Sequence, residues 1–326
     1  MLITPAPPTR STLTGTAAVA IAILGSVAAL ALSGCGWFDD PNAPPPTLPP
    51  PAEADVAYGP APGCIGPDGD CGGSQQLDIY RSPLPGPNPV LVWVHGGGFV
   101  SGDKAGVEER LEPVLDDGWD VVSVNYRLTL PDGTNAFPTG LHDANRAVRW
   151  IKANAATQDW DAASVAAMGA SAGANLVGML ATTADDPSLQ PTDLPPELAA
   201  QDPGIVAGIT MSAVSDLPTF GAAQTWTEVV ADYTGCRSPD CPTLALGSVA
   251  THVDANSAPL LAAHGVDDGI APPVVGEALR DAYDAAGISD RFELIVIDDG
   301  PEQNRGHNLD MRRIIDDVVA WLDRWG

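Results

Sequence analysis

Residues 164–177 read Ser164-Val165-Ala166-Ala167-Met168-Gly169-Ala170-Ser171-Ala172-Gly173-Ala174-Asn175-Leu176-Val177. The opening five form a short, mostly apolar run with a β-branched residue, as a buried strand requires. From Ala172 to about 183 the chain is apolar over a helical length. Between them lies Gly-x-Ser-x-Gly. A strand that turns straight into a helix leaves no room for side chains two positions before and after the apex, hence glycine at 169 and 173. Such a turn exposes the Ser171 hydroxyl and aims a helix N-terminus at negative charge developing beside it. Ser171 is therefore the candidate nucleophile. The competing reading is a packing turn without chemistry.

The same alternation extends outward in both directions. Strands are expected at 90–94, 120–126, 164–168, 205–211, 259–263 and 292–297. Helices are expected at 104–116, 142–153, 172–183, 273–286 and 308–325. Strands alternating with helices predict an α/β fold with a mainly parallel central sheet and helices on both faces. Sites in such sheets form beyond the carboxyl ends of the strands, and the Ser171 turn lies at such an end. Two irregular insertions, about 185–203 and 214–251, are rich in Pro, Asp, Thr and Gly, and are expected to cap the site. In the second, Phe220, Trp226 and Tyr233 either line a substrate pocket or pack the insertion itself.

The expected strand at 90–94 ends in His95-Gly96-Gly97-Gly98-Phe99. Consecutive glycines let backbone N–H groups approach a bound molecule closely. Gly97 and Gly98, with Ala172 after the nucleophile, are the candidate donors of an oxyanion hole. A phosphate cradle is disfavoured, because no Lys-Ser/Thr follows the glycines. His95 is read as a structural residue of that loop. The remaining histidines are 142, 252, 264 and 307, and two adjacent acids, Asp267 and Asp268, follow the strand at 259–263. His142 and His252 read as surface or capping residues and His264 as structural.

From about residue 75 to 325 the chain resembles the α/β-hydrolase superfamily. The likeness rests on the His95–Phe99 loop, on Asn125-Tyr126-Arg127-Leu128 with Asp143, Ala147 and Trp150, and on the turn around Ser171. It is similar to carboxylesterases of the hormone-sensitive-lipase-like and BD-FAE-like types. The resemblance implies the chain order Ser, acid, His, which selects His307 as base. It aligns His264-Gly265-Val266-Asp267-Asp268 with the family's acid loop, which puts Asp268 in the acid position and leaves Asp267 as the alternative. It implies hydrolysis of short to medium acyl esters through an acyl-enzyme, on small-molecule or lipid ester substrates, with no metal or organic cofactor. A peptidase or amidase on the same scaffold is the alternative, and a surface protein without activity a more distant one.

The N-terminal region follows different rules. Arg10 is the sole charge before an apolar run from Ala17 to Leu32, shorter than the ~20 residues that span a bilayer comfortably. Leu32-Ser33-Gly34-Cys35 resembles the bacterial lipobox. That implies a signal peptide over 1–34 and lipidation of Cys35, which would hold the protein at the outer face of the cytoplasmic membrane. The competing reading is an uncleaved anchor helix. Residues 35–62 carry seven prolines between positions 41 and 51 and are expected to be an extended tether, with the catalytic domain at 63–326. Export favours disulfides, expected as Cys64–Cys71 and Cys236–Cys241. The formal charge of −27, from 42 acidic and 15 basic residues, disfavours nucleic acid as a partner.

Overall fold

Val90, Val92 and Val94 point to one side of a strand and Leu91 and Trp93 to the other, and all five are buried. A strand covered on both faces explains why this run shows no polar alternation. The computed structural model describes residues 48–60, 74–107, 111–218, 227–238, 240–298 and 306–326. Within them, eight strands form one sheet in the order β1-β2-β4-β3-β5-β6-β7-β8. They are β1 (Glu53–Ala57), β2 (Gln76–Tyr80), β3 (Asn88–Val94), β4 (Asp120–Val124), β5 (Trp160–Ala170), β6 (Gly208–Met211), β7 (Leu260–Gly265) and β8 (Phe292–Ile297). All neighbours from β4 to β8 pair in parallel, while β2 runs antiparallel to both β4 and β1.

Helices cover both faces. On the side of Val90 and Val92 lie α2 (Thr139–Gln158), α3 (Ala172–Thr182) and α7 (Pro273–Ala285), which contribute Leu141, Val148, Ile151, Leu176, Val177, Leu279 and Tyr283. On the side of Leu91 and Trp93 lie α1 (Glu112–Asp116) and α8 (Ile315–Trp325), with Val114, Leu115, Val318, Trp321 and Leu322. The connections also carry three short helices, α4 (Pro196–Ala199), α5 (Thr227–Thr234) and α6 (Pro242–Leu246). The architecture is that of the α/β-hydrolase fold.

Several expectations are corrected. The tether expected over 35–62 stops short of Pro62, because β1 occupies 53–57. No proline falls between Pro51 and Pro60, so the residues between them are free to donate to a ladder, and the largely exposed β1 takes the sheet edge. The Ala52 N–H donates to the Ile79 carbonyl (2.7 Å), the Tyr58 hydroxyl donates to the Asn125 carbonyl (2.6 Å), and Lys104 pairs with Asp55 (2.7 Å) and Asp78 (3.0 Å). The helix expected at 104–116 is a short 3₁₀ turn at Lys104–Gly106 and then α1, with Pro113 in its first turn. The helix expected from 142 begins three residues earlier, and the last helix starts at Ile315 behind a 3₁₀ turn.

The insertion at 185–203 does not cap the site. It links the end of α3 to the start of β6, at the sheet end opposite to Ser171, and lies along α2. There Arg146 bonds Asp193, and Arg149 reaches the Gln201 carbonyl and Gln190. The insertion at 214–251 leaves the carboxyl end of β6 and does begin at the site. The disulfide Cys236–Cys241 lies within it, with Cα atoms 5.7 Å apart. The targeting segment, Cys35, Cys64, Cys71, Phe220 and Trp226 lie outside the described residues.

Candidate active site

β5 delivers Ser171 into the turn that precedes α3. Ser171 has φ 52° and ψ −114°, a conformation that side chains rarely adopt, and it is buried. The turn is tight because elements cross there. A Cβ on Gly173 would stand 2.1 Å from the Val94 carbonyl oxygen and 2.4 Å from that of His95. Glycine at 173 thus allows the nucleophile turn and the glycine loop after β3 to press backbone to backbone. Asn175, one turn into α3, donates to the carbonyls of Val214 (2.8 Å) and Gly247 (3.0 Å). It ties both ends of the second insertion beneath the nucleophile. The sequence showed Asn175 only as a polar residue in an apolar helix.

The fixed geometry of the peptide plane orients the candidate oxyanion donors. The Gly97 carbonyl accepts from the amides of Val100 (3.2 Å) and Ser101 (3.0 Å) and from the Ser101 hydroxyl (2.9 Å). In a trans peptide the following N–H points the other way, so the Gly98 amide is turned out of the loop. The Gly96 carbonyl is likewise held, by His95 Nδ1–H at 2.8 Å, which turns out the Gly97 amide. The Ser171 carbonyl accepts from Asn175 N–H (3.0 Å), which leaves the Ala172 amide at the open start of α3. Gly97, Gly98 and Phe99 all have positive φ, at 113°, 63° and 66°.

His307 brings the two remaining groups together. Its Nε2 lies 2.9 Å from the Ser171 hydroxyl oxygen, and its Nδ1 lies 3.0 and 3.1 Å from the two carboxylate oxygens of Asp268. With the proton on Nδ1 donated to Asp268, Nε2 accepts from the Ser171 hydroxyl. Asp268 is buried and Asp267 exposed, so the choice between the adjacent acids falls on Asp268 by position. Burial pushes the Asp268 carboxyl upward. The hydrogen bond and charge of His307, with the amides of Ala271 and Ile270 (2.8 Å each), outweigh burial and hold the carboxyl below its ordinary 3.8.

The other histidines stand apart from this set. His264 is fully buried, bonds the Ala271 carbonyl through Nδ1 (2.8 Å), and burial keeps its imidazole below the ordinary value. It buttresses the acid loop. His95 stacks on Tyr126 with ring centroids 4.4 Å apart, and burial lowers its pKa too. His252 bonds the Leu246 carbonyl at the surface. His142 is half-buried, and its Nε2 has no partner among the described residues.

A serine, a histidine and a carboxylate in line, on loops after β5, β8 and β7, agree with what comparison with known proteins finds. The BD-FAE family model matches residues 77–283. The chain belongs to the BD-FAE family. The match includes the glycine loop, the nucleophile turn and the acid loop, and ends before His307. Among curated relatives, LipM of Mycobacterium tuberculosis, a probable carboxylic ester hydrolase, is 29% identical over 63% of this chain and 47% of its own length. Esterase LipQ of the same organism is 28% identical over 72% of this chain and 53% of its own. This BD-FAE chain thus spans about half the length of the curated relatives it matches. Among solved structures, Thermogutta terrifontis esterase 2 phosphonylated by sarin superposes with a TM-score of 0.68 at 22% identity, covering 87% of this chain and 98% of that one. At that identity the likeness speaks to the fold.

Proposed function

We propose that this protein is a serine esterase that cleaves carboxylic esters of short to medium acyl chains through an acyl-enzyme. The observation that carries the reading is the unbroken hydrogen-bonded line from Ser171 through His307 to Asp268. Ser171 is a poor nucleophile until His307 takes its proton. The neutral tautomer with its proton on Nδ1 leaves Nε2 free to do so, and Asp268 stabilises the imidazolium that results. The Ser171 oxygen then attacks the ester carbonyl. The amides of Gly97, Gly98 and Ala172 receive the oxyanion, each donor typically supplying ~2.7–4 kcal/mol. His307 passes its proton to the departing alcohol, and water deacylates the enzyme by the same steps in reverse order. The esterase names of LipM and LipQ support this reading.

The lipobox-like Leu32-Ser33-Gly34-Cys35 supports export and lipidation at Cys35, which would place the enzyme at the outer face of a membrane. In that compartment Cys64 and Cys71 would pair. A panel of p-nitrophenyl esters of increasing acyl length, run on wild type and Ser171→Ala, tests the activity. Turnover of acetate to octanoate esters by wild type alone is expected. Equal rates in both proteins, or hydrolysis confined to amide substrates, would overturn the ester reading.

A further inference from the structure

Phe99 is the one residue of the glycine loop's left-handed run that is not glycine. Its φ of 66° is a backbone conformation that residues with a Cβ rarely adopt. Such an outlier persists only where its surroundings over-determine it. Two contacts do so here. The Thr129 N–H donates to the Phe99 carbonyl at 2.8 Å, and the ring of Tyr233 lies flat on the Phe99 ring, with centroids 3.5 Å apart and planes 4° from parallel.

Tyr233 belongs to α5, in the insertion that follows β6, and it is itself clamped. Its carbonyl accepts from the Phe137 N–H at 2.6 Å, and its ring meets the Phe137 ring edge-on at 5.8 Å. Three residues on, Cys236 is buried and joined to Cys241, at the start of α6. Gly247, just past α6, is held by Asn175 one turn beyond the nucleophile. A continuous path of contacts therefore leads from the nucleophile turn through the disulfide to the face of Phe99. The phenol of Tyr233 has no hydrogen-bond partner among the described residues, although it is buried. The ring face, and not the hydroxyl, makes the contact.

We infer that Tyr233 is a positioning residue of the ester-cleaving reaction: its ring holds Phe99, and through it the outward-turned amides of Gly97 and Gly98, in the geometry that receives the oxyanion. The inference rests on the esterase reading above and adds a part to it. Tyr233 touches no reacting atom in this account. Its loss should lower transition-state stabilisation and leave ground-state binding nearly unchanged.

The test compares full-length wild type with Tyr233→Phe, Tyr233→Leu and Tyr233→Ala. The readouts are kcat and KM on p-nitrophenyl acetate, and amide hydrogen exchange over residues 96–101. Tyr233→Phe keeps the stacked face and should retain kcat within about threefold, because it discards only an unpaired hydroxyl. Tyr233→Ala should lose roughly 10–100-fold in kcat with KM nearly unchanged, a partial loss of what oxyanion donors supply. Its amides over 96–101 should exchange about tenfold faster or more. Tyr233→Leu fills more of the space, guards against a misfolded alanine variant, and should fall between the two. Unchanged kcat and exchange in the leucine and alanine variants would overturn the inference, as would a rise in KM alone, the mark of a substrate-binding wall. If wild type cleaves no ester, the esterase reading falls by itself. The exchange comparison would still decide whether Tyr233 holds the loop.

Discussion

Gly306 lies against the backbone of Asp268 so closely that a Cβ on it would stand 2.4 Å from the Asp268 nitrogen. The loop that carries His307 and the loop that carries Asp268 are thus in contact through their main chains, and the imidazole meets the carboxylate because they are. Substituting Gly306→Ala should force the loops apart. A misplacement of about 1 Å costs about 100-fold in rate in well-aligned sites. The expected outcome is a drop of that size in kcat on p-nitrophenyl acetate with a cooperative melting transition retained.

The two adjacent acids should separate cleanly. Asp268→Asn keeps the shape but no longer fixes the imidazole tautomer, and should lower kcat by about 10⁴-fold. Asp267 is exposed, and Asp267→Asn should leave kcat within about twofold, as surface changes usually do. Steady-state kinetics on both variants checks this.

The depressed carboxyl of Asp268 also bears on acid stability. A group whose folded pKa lies below its unfolded value contributes stability that is complete above the unfolded value, here 3.8, and disappears as pH falls through the folded one. Urea denaturation of wild type and Asp268→Asn should therefore show a stability gap that is constant above pH 3.8 and narrows at lower pH. A gap that widens on acidification would contradict the assigned hydrogen bonds.

Much of this arrangement could be read from the residues alone, because its signals are local. The steric demand for glycine at 169 and the held carbonyls of 96 and 97, which orient the amides of 97 and 98, depend on a few neighbours in sequence, whereas glycine at 173 also answers to the distant carbonyls of Val94 and His95. What escaped depends on distant partners. β1 pairs with Ile79, Leu77 and Gln76 of β2, and the proline composition before it outweighs five ordinary residues. The stretch 104–116 reads as one helix in sequence, but α1 begins at Glu112 with Pro113 in its first turn. The place of insertion 185–203 follows from which strand end it joins, and that needs the sheet order. Tyr233 was one aromatic among three in an irregular segment, and only its contact with Phe99 distinguishes it.

The Cys236–Cys241 disulfide closes a short loop, for which the chain-entropy relation gives about 2 kcal/mol of stabilisation. Replacing both cysteines with serine should lower the unfolding free energy by roughly that amount, measured by chemical denaturation under non-reducing conditions.

In the proposed mechanism His307 activates Ser171 for attack. Treatment with a fluorophosphonate probe, followed by peptide mass spectrometry, tests it most directly. One adduct per chain is expected, on Ser171, forming at least about 10³-fold more slowly in His307→Ala. An unlabelled Ser171, or labelling that proceeds equally fast without the imidazole, would contradict it.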